Sequence, residues 1–193
     1  MFRRKYEFKP DRTGHSTLSK LYITPKQRLS ILKWVLTAAV VVLVSIIQDA
    51  TLSRFRPFGA PMNVTVVAML LLCIMLDADV GSVFILVAAA FYWFSGSAPG
   101  PYVIALLSVI GIMASIICQA YLYDSFGSIM ICTTLAVFAY EMLIFGLGCF
   151  LEFTTPDRLV GHLLGAGLSV CVAPILYPVF KAIDKIGGNT WNE

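Results

Sequence analysis

Residues 62–94 read MNVTVVAMLLLCIMLDADVGSVFILVAAAFYWF, and the two aspartates near the middle, Asp77 and Asp79, decide how the chain is built. Apart from those acids the stretch is almost wholly apolar. At about 1.5 Å per residue, a single helix over these residues would run about 50 Å, far more than a hydrocarbon core of about 30 Å. The stretch therefore predicts two short helices, Met62–Leu76 and Val80–Phe94, hinged at Asp77-Ala78-Asp79. Each would be about 22 Å long, so the pair would thin the bilayer locally or form a re-entrant hairpin.

Longer apolar runs flank this pair. Leu32–Leu52, Pro101–Ala120, Ser128–Phe150 and Leu159–Phe180 each reach the roughly 20 residues that a spanning helix needs. Pro101 is tolerated in a first turn, whereas Pro174 and Pro178 should kink the last helix. Pro57, Gly59 and Pro61, then Ser95 to Gly100, then Thr154-Thr155-Pro156, punctuate the gaps. The expectation is an all-α integral membrane protein: a six-helix transmembrane bundle with short second and third helices. A basic arm (1–33) precedes the membrane domain (34–180), and a short tail (181–193) follows.

Composition agrees. Of 193 residues 59% are apolar, mean hydropathy is +0.84, and 13% are charged, against about 25% in an average soluble domain. Eleven of those charges fall in residues 1–33, and only ten in residues 34–180. Ten charges cannot clothe a soluble body of that size, which excludes a soluble enzyme, a nucleic-acid-binding domain and a disordered chain.

Orientation follows from Lys and Arg near the helix ends. With six spans, Lys20, Lys26, Arg28, Lys33, Lys181 and Lys185 share one side, and Arg54, Arg56 and Arg158 the other. Both termini are expected in the cytoplasm. The long basic arm has no place in a cleaved signal peptide. Thr24-Pro25-Lys26-Gln27 reads instead as the capped start of an uncleaved first helix.

Residues that could carry chemistry are few. Cys73, Cys118, Cys132, Cys149 and Cys171 lie inside apolar segments without metal-ligand spacing and read as packed small residues. His15 and His162 form no pair, and no nucleophile elbow or phosphate loop occurs. No catalytic group, cofactor or metal is expected. Glu141 is more informative. It sits deep in the fifth helix, and facing lipid it would cost about 2.5–3.5 kcal/mol or more if ionised. It must face the bundle, a partner helix or a watery pocket, with Gln119, His162 or Tyr140 as donors, or else be protonated. Asp49, beside Gln48 at the outer end of the first helix, would pair with Arg54 and Arg56.

Gly161-x-x-x-Gly165, with Gly167, puts small residues on one face of the last helix. Such faces let helix backbones approach in lipid. Ala88-Ala89-Ala90 offers a second such face. Tyr92, Trp93, Phe94, Tyr102, Tyr121, Tyr123 and Trp34 gather at segment ends as interfacial anchors would. The arm, where Tyr6, Phe8, Leu18, Leu21 and Tyr22 interleave with basic residues, could rest on anionic lipid.

A short apolar helix closing in Ser95-Gly96-Ser97, followed by Gly100-Pro101-Tyr102 at the head of the next, resembles the rod-shape-determining protein MreD family. There a helix ends D-x-x-S-G-x and a loop glycine precedes a long apolar helix. The likeness covers roughly residues 34–150, including Gln48 near the end of the first helix and Pro61 at the head of the second. Tyr92 stands where the family carries an acid, and Met62, followed by Asn63, where an acid often follows the proline. The 33-residue arm is also longer than the family pattern leads one to expect. The resemblance implies a fold similar to the six-helix substrate-binding subunits of energy-coupling-factor vitamin transporters. It also implies a non-enzymatic subunit of the bacterial cell-wall elongation complex in the inner membrane. That subunit would hold a single-pass scaffold protein (MreC-like) beside the peptidoglycan synthases, coupled indirectly to actin-like filaments, with no small-molecule substrate and no nucleic acid. The alternative is a substrate-binding transporter subunit. Glu141 and the short helices favour it; the lack of an A-x-x-x-A pattern at Ala38-Ala39 counts against it.

Overall fold

The computed structural model describes residues 25–52, 62–96, 98–121 and 125–186. The arm up to Thr24, the cap expected there, Arg54, Arg56, Ser97 and Tyr123 lie outside them.

Helices run in the order α1 (Pro25–Ile47), α2 (Val64–Met75), α3 (Ala78–Phe94), α4 (Tyr102–Tyr121), α5 (Phe126–Phe150), α6 (Leu159–Val170) and α7 (Ala173–Asp184). No strand occurs among the described residues. α1 continues as one π-helical turn, Gln48–Leu52. Four stretches are long and apolar enough to cross a membrane: Ile31–Ala50, Tyr102–Tyr121, Phe126–Phe150 and Pro156–Asp184. The last of these contains both α6 and α7. The fold is therefore a six-helix bundle whose sixth member is broken, and it reads as a multi-pass membrane protein.

The expected pair of short helices is present, with its turn at Leu76-Asp77. The two halves differ sharply. Every residue of α2 from Val64 to Ile74 is buried, and α2 packs against all six other helices. Its sequence, VTVVAMLLLCIM, has no polar face, as expected of a helix enclosed on every side. α3 instead buries one face through Ile85, Ala88, Ala89 and Tyr92 and exposes Val83, Leu86, Val87 and Phe91. Exposed large aliphatic and aromatic side chains also cover α1, α4 and α5, a surface suited to lipid contact.

Two glycines draw the central helices together. A Cβ at Gly81 would lie 2.6 Å from the Cys73 carbonyl oxygen, so the α2–α3 hairpin closes only around a missing side chain. The Cys73 thiol donates to the Gly81 carbonyl across that contact, at 3.4 Å. One helix further out, a Cβ at Gly111 would lie 2.8 Å from Ile85 Cγ1. These are the tight seams of the bundle. Of the glycines expected to let helix backbones approach, inside the bundle or against another protein, Gly165 is buried, and Gly161 and Gly167 face open space.

The break in the sixth span falls at Cys171-Val172, ahead of Pro174 rather than at it. Proline has no N–H for the Val170 carbonyl, and its ring crowds that oxygen, so α6 stops at Val170. Pro178 lies within α7. α5 begins at Phe126, two residues earlier than expected, because Ser125 caps it: its hydroxyl accepts from the Ser128 N–H at 3.2 Å. At one end of the bundle Lys33 forms an ion pair with Asp184, which sets the start of α1 beside the end of α7.

Gly81→Leu should destabilise the bundle by about 1–3 kcal/mol, the usual cost of forcing atoms into a filled contact. The melting temperature of detergent-purified protein should fall accordingly. Gly127→Ala, where a Cβ meets nothing within 4 Å, should leave it unchanged or slightly raised.

Candidate functional site

A helix leaves its first N–H and last C=O groups without intrahelical partners, and α2 begins inside the bundle. At its N-terminus the Asn63 N–H donates to Ser169 Oγ of α6 at 2.8 Å. The Thr65 N–H donates to Gln48 Oε1 at 2.6 Å. Gln48 closes α1 in a π-helical turn, and its side chain lies beside that of Tyr92 of α3. The Asn63 side chain donates through Nδ2 to Glu141 Oε1 of α5. Ser169 in turn donates to the Gly165 carbonyl at 2.7 Å.

Glu141 is thus at the positive end of α2's dipole, where a carboxylate is favoured, and is 4% exposed. His162 of α6 places Nδ1 3.9 Å from Glu141 Oε2, with its ring 5.1 Å from that of Phe145. This Nδ1 is buried without a hydrogen-bond partner. Five helices therefore meet at one polar knot: α1 through Gln48, α2 through Asn63 and Thr65, α3 through Tyr92, α5 through Glu141, and α6 through His162 and Ser169.

Gln119, expected as a donor to Glu141, lies at the opposite end of α2. Its Nε2 donates to the Leu76 carbonyl at 2.9 Å and its Oε1 accepts from the Ala78 N–H at 3.1 Å. One α4 amide thereby satisfies both sides of the α2–α3 turn. Asp77 and Asp79 are both exposed at that turn. Tyr92, expected as an interfacial anchor, is 3% exposed and points inward. Its neighbours Trp93 and Phe94 remain at the surface. Among the cysteines, Cys73, Cys118 and Cys132 are buried, Cys149 is half-buried, and Cys171 is exposed at the α6–α7 break.

The loop residues that carry the family resemblance have a local geometric role. Ser95 N–H donates to the Phe91 carbonyl at 2.9 Å and Gly96 N–H to that of Trp93 at 3.1 Å. Gly96 adopts φ +78°, the left-handed conformation that ends helices and favours glycine. At Gly100 a Cβ would lie 2.5 Å from the Tyr102 ring. Together these residues stop α3 and turn the chain into α4.

A second feature lies on the flank. α1 and α3 both rest on α2, and between them runs a half-open groove of about 880 Å³, walled by apolar side chains, with Met69 and Ala88 at its floor. Ala89 is buried in the core. Asp49 and Asp79 lie among its lining residues. No group of three or more His, Cys, Asp or Glu suited to a metal ion occurs among the described residues. Comparison with known proteins finds no family model, curated protein or solved structure that matches the chain.

Asn63→Leu and Glu141→Leu should each destabilise the bundle by about 1–3 kcal/mol, because each leaves a buried polar partner unsatisfied. The double variant should cost clearly less than the two single effects added. Glu141→Gln, which keeps an acceptor oxygen for Asn63, should be the mildest. Unfolding of the purified variants in detergent gives the comparison.

Proposed function

We propose that this protein is a non-enzymatic membrane subunit of the bacterial cell-wall elongation machinery. Through helix-to-helix contacts it holds a single-pass scaffold protein near the peptidoglycan synthases, and it is needed for rod shape. The reading includes residence in the inner membrane with both termini in the cytoplasm. It also includes an arrangement of helices like that of energy-coupling-factor substrate-binding subunits.

The observation that carries the proposal is how the polar groups are used. Glu141, Asn63, Ser169, Gln48 and Gln119 bond to one another or to the ends of α2. The groove on the flank, by contrast, is walled mainly by apolar side chains. A molecule built this way acts through its surfaces. The loop geometry at Ser95, Gly96 and Gly100 supports the same reading, since the residues of the resemblance form a defined turn.

One observation favours the transporter reading: His162 Nδ1 is buried and unpartnered 3.9 Å from Glu141. Under that reading the purified protein would carry a small solute that is lost in Glu141→Gln.

Depletion of the protein in its own cell separates the two. Rods that round up, with nutrient uptake intact, are the expected result. Cells that keep their shape and lose uptake of one solute would end the proposal.

A further inference from the structure

We propose that the groove between α1 and α3 seats one transmembrane helix of another protein, with a basic residue at the end that meets Asp79. The inference deepens the proposed function, since it gives the scaffolding reading its contact surface.

Dimensions come first. Trp34 to Asp49 on α1, and Asp79 to Ser95 on α3, bound the groove. At about 1.5 Å per residue each wall is about 22–24 Å long, most of a hydrocarbon core of about 30 Å. Together with a volume of about 880 Å³, that length suits one elongated apolar occupant seated partly between the two helices. Ala38 and Ser45 on α1 and Ala88 on α3 keep the floor low, and small residues of this kind permit close backbone approach where no hydrophobic effect operates.

Two acyl chains would also fill such a volume, so charge decides between them. The carboxylate of Asp79 stands at one end, and no Lys or Arg is among the described residues that line the groove. Lys33, beside Trp34 in sequence, pairs with Asp184. A phospholipid would bring its phosphate against the Asp79 carboxylate. A membrane-spanning protein helix brings Lys or Arg at its ends, most often at the cytoplasmic one. Under the proposed orientation, the end marked by Asp79 is the cytoplasmic one.

The test uses the full-length protein in its native membrane, with a photo-crosslinking residue at Val42 or Val87 on the groove walls, or at Leu135 on α5 as a control. All three positions are exposed. Val42 and Val87 should give one polypeptide adduct that peptide mapping assigns to the transmembrane segment of a single-pass protein. Leu135 should give little of it. Ala38→Trp, which fills the groove from an exposed position, should abolish the adduct while the melting temperature holds. Asp79→Lys should weaken it several-fold, and an acidic residue at the matching end of the partner should restore it. Adducts with lipid alone, with a second copy of this chain, or in equal yield at Leu135 would overturn the inference. If Ala38→Trp lowers the melting temperature, Asp79→Lys decides alone. The two readings fail separately. Cells that round on depletion but tolerate Ala38→Trp retain the function and lose the groove. A mapped helix adduct in cells that keep their shape retains the groove and loses the function.

Discussion

Burying a twelve-residue helix from Val64 to Ile74 in apolar surroundings is the constraint on which the rest of this structure depends. A peptide N–H or C=O removed from water without a partner costs several kcal/mol, and α2 begins inside the bundle while its far end stops at an exposed turn. The solution is local at each end. Side chains from α1, α5 and α6 meet the N-terminus, and a single amide from α4 meets the C-terminus. These polar residues sit among largely apolar neighbours, and their bonds tie α1, α4, α5 and α6 to the ends of α2.

Much of this was legible in the sequence and some was not, for identifiable reasons. Hydropathy locates the spans because lipid imposes a length on them, and Asp77 and Asp79 reveal the turn because charges avoid the middle of a membrane helix. That Glu141 faces inward follows from the same argument. Its partner does not. Asn63 stands at the edge of an apolar run, where an amide is unremarkable, and only the depth at which α2 begins turns it into a donor for a buried acid. Gln119 looked equally able to reach Glu141 on composition. The two are separated by the length of α2, about 18 Å, which no spacing rule on α4 or α5 expresses. Glycine spacing likewise does not separate an internal seam from a face open to another protein. Gly161-x-x-x-Gly165 fits a known packing motif, yet Gly81 and Gly111, which match no repeat, make the close approaches. A glycine's role depends on what lies opposite it, and that is tertiary information.

The polar and apolar features of the molecule are kept apart. Polar side chains gather at the two ends of an enclosed helix and stabilise the bundle from within. The lipid-facing flank holds a long concavity with a low floor. α1 and α3 can stand apart because each is anchored to α2, and the stiffness of that anchor keeps the space between them open. Internal hydrogen bonding and an external contact surface are thus linked through one element.

The clasp between Lys33 and Asp184 has a consequence for biogenesis. The two residues are separated by 151 positions, so the lysine emerges from the ribosome long before its counter-ion has been translated. Throughout that interval the first helix must keep its ammonium near the headgroups by snorkelling, and the bundle cannot close its ring. Closure waits for α7 to insert, so the ion pair that joins the first helix to the seventh forms only after the helices between them have been made.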